Sequence, residues 1–156
     1  MKYYAGIGSR ETPETVKIKM ELIAQMLANK GYTLCSGGAE GADRAFERGA
    51  GPKEIYYSRD ATQEGINLAL EYHPNPKALM AKGDYVLGLM GRNMHILLGM
   101  DLNSPVDFVV CWTKDGGPTG GTGQNLRYCM KNNIKIYNLY DAEQEKALYK
   151  LIQEGL

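Results

Sequence analysis

The sequence predicts an α/β fold: one Rossmann-like domain over residues 1–156, with a mainly parallel sheet and helices on both faces. Two observations predict it. Short apolar runs of strand character alternate with segments of helical periodicity almost throughout the chain. Three of the strand-to-helix junctions are built from small residues: Gly6-Ile7-Gly8-Ser9-Arg10, Ser36-Gly37-Gly38-Ala39-Glu40-Gly41-Ala42-Asp43 and Gly116-Gly117-Pro118-Thr119-Gly120-Gly121-Thr122-Gly123. Glycine lets a backbone come close to a phosphate, and the first N–H groups of a helix have no intrahelical partner. In a parallel α/β sheet all three junctions fall beyond the carboxyl ends of the strands, where such folds bind ligands.

Taken in order, Tyr3 to Gly8 reads as a strand that ends in glycine. Thr12 suits an N-cap, Pro13 the first helical position and Glu14 the positive end of the dipole. Val16, Met20, Ile23 and Leu27 recur at helical spacing, and Gly31 is the stop. Tyr32 to Cys35 is a second strand. A helix from about Gly41 to Glu47 packs through Ala42, Ala45 and Phe46, and Glu54 to Tyr57 is a third strand. Thr62 to Tyr72 reads as helix with Ile66, Ala69 and Leu70 on one side; His73-Pro74-Asn75-Pro76 breaks it. The Met- and Leu-rich stretch from Pro76 to Leu102 reads as one or two helices interrupted near Gly83 and Gly91. Val106 to Trp112 is apolar enough for a strand buried on both faces. A helix from near Gly121 to Asn132, a strand from Ile134 to Leu139 and a helix from Asp141 to Gln153, capped by Asp141, complete the chain.

Composition narrows the classes. Lysine plus arginine and aspartate plus glutamate each number 18, so the formal charge is zero, and affinity resting mainly on duplex phosphates is disfavoured. Cys35, Cys111 and Cys129 form no CxxC pair, which points to buried free thiols and a reducing compartment. A strand begins almost at the N-terminus, leaving no visible signal peptide, and no apolar run has membrane-spanning length. A cytoplasmic location and no membrane partner are expected. No metal-ligand spacing and no cofactor fingerprint stands out, so no metal and no cofactor is expected.

Each candidate group has a bland counterpart. Gly8, Ser9 and Arg10 offer N–H groups, a hydroxyl and a guanidinium to a phosphate; the alternative is a tight turn with a surface arginine. Gly37 and Gly38 precede Glu40 and Asp43, two carboxylates that would hold ribose hydroxyls or act as an acid–base pair; the alternative is helix capping. Arg92 and Asn93 follow a glycine, while His95 sits among apolar neighbours and reads better as a packed residue than as a catalyst. Gly120, Gly121, Thr122 and Gly123 open a helix, with Thr119, Gln124, Asn125 and Arg127 beside them. Trp112 suits either base stacking or the core.

These segments in this order resemble the SLOG superfamily, which unites the DNA-processing protein A family with the Lonely Guy phosphoribohydrolases. Ser36-Gly37-Gly38-Ala39-Glu40-Gly41-Ala42-Asp43 is similar to the S-G-x-A-x-G-x-D stretch of DNA-processing protein A, and Arg92-Asn93 to its R-N element. Gly120-Gly121-Thr122-Gly123 resembles part of the P-G-G-x-G-T-x-x-E motif of Lonely Guy enzymes. That alignment puts Gln124 at the threonine and Arg127 at the catalytic glutamate, so the carboxylate is missing. The length is close to that of standalone SLOG proteins, including those of phage genomes and of antiviral defence sensors. The resemblance implies a protein that binds, and sequesters, a phosphorylated nucleotide-derived small molecule such as a cyclic nucleotide or an NAD- or ADP-ribose-derived signal. Nucleotide N-glycoside hydrolysis by Glu40 or Asp43, and single-stranded DNA binding, stay open as alternatives. A homo-oligomer is implied too, with Met80 to Met100 either its surface or an ordinary core face.

Overall fold

The computed structural model describes residues 2–155. Five strands form one wholly parallel sheet: β1 (Lys2–Gly6), β2 (Tyr32–Ser36), β3 (Lys53–Ile55), β4 (Phe108–Cys111) and β5 (Lys135–Asn138), in the spatial order β3-β2-β1-β4-β5. Seven α-helices connect and flank them: α1 (Glu14–Asn29), α2 (Ala42–Gly49), α3 (Gln63–Tyr72), α4 (Pro76–Met80), α5 (Asp84–Leu98), α6 (Gly120–Lys131) and α7 (Ala142–Gln153). The α/β class and the two-sided covering expected from the sequence are what the chain adopts.

Strand side chains alternate between two cores, as the pleat requires. Tyr4, Leu34, Phe108 and Val110 join Met20, Ile23, Leu27 and Phe46 from α1 and α2, with Leu148 and Ile152 from α7. Ala5, Cys35, Val109 and Cys111 face the other way, against Ala69 of α3, Met94 and Leu97 of α5, and Leu126 and Cys129 of α6. All three cysteines are buried free thiols, and burial pushes each thiol pKa up. Among the described residues no helix is long and apolar enough to cross a membrane.

Tyr4 sits at the centre of the first core, stacked on Phe108 with ring centroids 6.0 Å apart and edge-on to Tyr32 and Phe46. Its hydroxyl is buried and finds no hydrogen-bond partner among the described residues. A buried donor left unmet costs more than a made bond returns. Tyr4→Phe is therefore expected to stabilise the fold by about 1 kcal/mol, visible as a raised midpoint of thermal unfolding.

Three local expectations need correction. Thr12 does not cap α1: Pro13 holds the N-cap position, and the Thr12 hydroxyl instead donates to the Ser9 carbonyl at 2.5 Å. No break occurs at Gly91, because α5 runs unbroken from Asp84 to Leu98, and the interruption lies only at Gly83, whose φ is +94°. Gly91 answers to packing instead, since a Cβ there would stand 2.7 Å from Ile66 Cγ1 where α3 crosses. Finally, the Met-rich stretch divides: Met94 is core, whereas Met80 and Met100 are exposed.

Candidate functional site

The sheet order sets the site. The chain leaves β1 towards α1 on one face and leaves β4 towards α6 on the other, so the two exits diverge and open a crevice between neighbouring strands. That divergence is the switch point at which open α/β sheets take ligands. Backbone bonds from Ile7 N–H to Val110 O (3.1 Å) and from Ser9 N–H to Trp112 O (3.2 Å) extend the β1–β4 ladder up to its floor. Gly8 is obligatory there, because a Cβ would lie 2.6 Å from the Ala42 Cβ at the start of α2.

A hollow of about 410 Å³ fills this crevice. Gly8, Ser9 and Arg10 line it from the β1 exit, Asp43 from α2, Arg92 and Asn93 from α5, and Gly120, Gly121 and Thr122 from the start of α6. Turns far apart in sequence thus share one cleft, with Ser9, Asp43 and Thr122 on its wall together. Three cationic side chains, Arg10, Arg92 and Lys114, border it against two carboxyls, Glu11 and Asp43. Helix α6 opens onto it with Thr119 as N-cap, and the Thr119 hydroxyl donates to Asp115 Oδ1 at 3.0 Å instead of capping its own helix. The first-turn N–H groups, at the positive end of α6, therefore remain uncapped by that side chain.

Not every expected residue arrives. Glu40 is exposed, lies outside the hollow and pairs loosely with Arg44 at 3.8 Å, so the acid pair with Asp43 does not form. Gly37 and Gly38 line a neighbouring hollow instead. Gly123 is buried at a point where a Cβ would run into the Pro118 carbonyl, and it serves the close approach of the preceding turn to α6. Arg127 donates to Pro118 O at 3.3 Å and to Gln124 Oε1 at 2.8 Å, while Gln124 donates to Ala69 O at 2.9 Å. Both therefore brace α6 and line neither hollow. Trp112 packs on the first core, 6.4 Å from Tyr140 between ring centroids, and lies off the wall of the hollow. His95 is fully buried: its Nε2 accepts from Thr62 N–H at 3.0 Å, which leaves Nδ1 to donate to Gly99 O at 3.0 Å. It is a core histidine, as its apolar neighbours indicated.

Arg92 is more than a ligand candidate. Its Nη1 donates to Gly37 O (2.8 Å) and Tyr56 O (3.0 Å), and its Nε donates to Asn93 Oδ1 (2.9 Å). One guanidinium thus ties the exits of β2 and β3 to α5. Asp43, only 7% exposed, accepts from Ala39 N–H at 3.2 Å. Burial raises its pKa to about 6, although the Ala39 N–H and Arg92 both pull the other way. Because the folded value lies above the ordinary carboxyl value, the folded state binds the extra proton between them. Its contribution to stability is full below about pH 4 and is lost as pH rises through about 6. Asp43→Asn is expected to flatten that slope in urea melts across pH 4–7.

Sequence reading passed over Thr113 and Lys114, which both line the hollow. Thr113 is buried, and its hydroxyl accepts from Asn138 Nδ2 at 2.9 Å, which leaves its proton to donate. The available signal was position, immediately past the carboxyl end of the strand beside β1. Asn125 also reaches the hollow and donates to Asn93 O at 3.2 Å.

Fold and hollow together define a Rossmann-like α/β domain with a cation-bordered cleft at its switch point. Compared with protein-family models, curated proteins and solved structures, the chain finds no match.

Proposed function

We propose that the protein is a SLOG-like binding module that captures a phosphorylated nucleotide-derived small molecule and leaves it intact. The observation that supports this most is the convergence of Ser9, Arg10 and the Gly120–Thr122 helix start on one hollow. Its size falls within the few-hundred-Å³ range of small-molecule sites. The uncapped start of α6 would take one phosphate, with Arg10 and Lys114 supplying charge around it. Turnover is disfavoured because Glu40 lies outside the cleft and Arg127 replaces the expected carboxylate.

One observation favours a second reading, N-glycoside hydrolysis. Asp43 is a buried acid in the cleft that holds its proton up to about pH 6, which suits protonation of a departing base. Calorimetry against AMP, cyclic mononucleotides, ADP-ribose and NAD, followed by chromatography of the recovered ligand, separates the readings. Capture predicts binding with the ligand returned whole. Recovery of free base that ceases in Asp43→Asn would replace capture by hydrolysis, and absence of heat with every compound would remove both. A homo-oligomer is proposed as well, with exposed Met80 and Met100 as its apolar contacts; a native mass spectrum showing only monomer would rule it out.

A further inference from the structure

A second hollow of about 390 Å³ adjoins the first and shares Arg10, Ala39, Leu89 and Arg92 with it as a common wall. Its chemistry differs from that of its neighbour. Arg10, Arg59 and Arg92 line it with no carboxylate among them, and two tyrosine rings, Tyr57 and Tyr85, stand on its rim. Both rings are exposed, at 41% and 69%. The Arg59 guanidinium lies 4.6 Å from the centroid of Tyr57, so one face of that ring is already covered. Gly38, with φ +70°, lets the β2 exit pass beneath: a Cβ there would meet the edge of Tyr57 at 3.1 Å. Burial lowers the Arg92 pKa, and its guanidinium feels Asp43, the Tyr85 hydroxyl and Arg10, groups that line the two hollows. Exposed aromatic rings beside guanidiniums are what a nucleobase attached to a phosphate needs.

We infer that the ligand is a dinucleotide, two nucleosides joined through phosphate, with one unit in the α6 hollow, the second base against Tyr57 and Tyr85, and the bridging phosphate at the shared Arg10–Arg92 wall. This rests on the nucleotide-capture reading and narrows its ligand class. A mononucleotide would fill the first hollow and leave the second to water. Stacking a base on an aromatic side chain is worth roughly ten- to a hundredfold in affinity, so the two classes of ligand separate clearly.

The test is calorimetry of the full chain with AMP, with the 5′-phosphorylated diadenylate pApA (phosphodiester bridge) and with NAD (pyrophosphate bridge). It is repeated on Tyr57→Ser, Tyr85→Ser and the double variant. At least one dinucleotide is expected to bind ten times more tightly than AMP or better, and whichever does so identifies the bridge. The double variant should lose that advantage while its AMP affinity stays within twofold and its thermal midpoint is unchanged. Dinucleotides binding no tighter than AMP, or a double variant that weakens AMP equally, would overturn the inference and leave nucleotide capture standing. A ten-residue oligonucleotide that outbinds every dinucleotide, with steep salt dependence, would overturn it in favour of a strand groove. Failure of AMP and both dinucleotides to bind would overturn the capture reading itself.

Discussion

Arg92→Met is expected to cost about 3 kcal/mol or more of folding stability, because it strips partners from three buried or half-buried groups at once. The carbonyls of Gly37 and Tyr56 each lose the Nη1 donor, and Asn93 Oδ1 loses Nε. Asp43 also loses the guanidinium that pulls its pKa down, so its titration moves above 6 and its proton is held to higher pH. For a chain of this size the loss corresponds to a fall of roughly 6–12 °C in the thermal midpoint. Arg92→Lys keeps the charge but lacks the planar fork, and one ammonium cannot reproduce the same set of bonds; it is expected to recover only part of the loss. Adding Asp43→Asn to Arg92→Met should cost less than the separate losses together, since the two groups act on each other. Thermal unfolding of Arg92→Met, Arg92→Lys, Asp43→Asn and the double variant at pH 7 checks this, and an Arg92→Met protein within about 1 kcal/mol of the parent would show that the guanidinium does not brace the strand exits.

Gly121→Glu is expected to separate binding from stability. Gly121 is the second residue of α6, and a Cβ there meets nothing within 4 Å. A glutamate in the first helical turn improves helix propensity and complements the dipole, a gain of about 0.5–1 kcal/mol. The same carboxylate stands where the ligand phosphate is proposed to sit. Like charges a few ångströms apart near a surface repel by a few kcal/mol, so anion affinity should fall on the order of 100-fold or more while the protein melts no lower. Gly121→Gln fills the same space without charge and should lose far less. Calorimetry with the tightest nucleotide, run beside thermal melts, reads both effects. Undiminished affinity in Gly121→Glu would move the phosphate away from α6.

The local physics of this chain is written in its sequence. The largely apolar run in residues 106–112, the helical spacing of Met20, Ile23 and Leu27, and the stop at Gly31 depend on neighbours a few positions away, and the elements form close to where that pattern places them. Asp141 caps α7 through Glu143 N–H for the same reason. Gly8, Ser9, Arg10, Asp43 and Thr122 stood out because small, hydroxylic and charged residues at strand-to-helix junctions are conspicuous in one dimension. Whether those junctions share a cleft depends on strand order, which no local pattern encodes.

Tertiary structure alone decided the rest. Glu40 and Asp43 lie three residues apart, yet the turn into α2 exposes one and buries the other, and burial raises the Asp43 carboxyl pKa. Gly91 resembled a helix break until α3 was packed across it. The partners of Arg92 lie 36 and 55 residues away, and Gly37 and Gly38 belong to a hollow whose rim comes from Tyr57 and Tyr85. Burial and long-range hydrogen bonding are set by what the folded sheet brings together, so the sequence by itself determined the elements and the chemical character of the turns, and the folded chain determined which side chains meet.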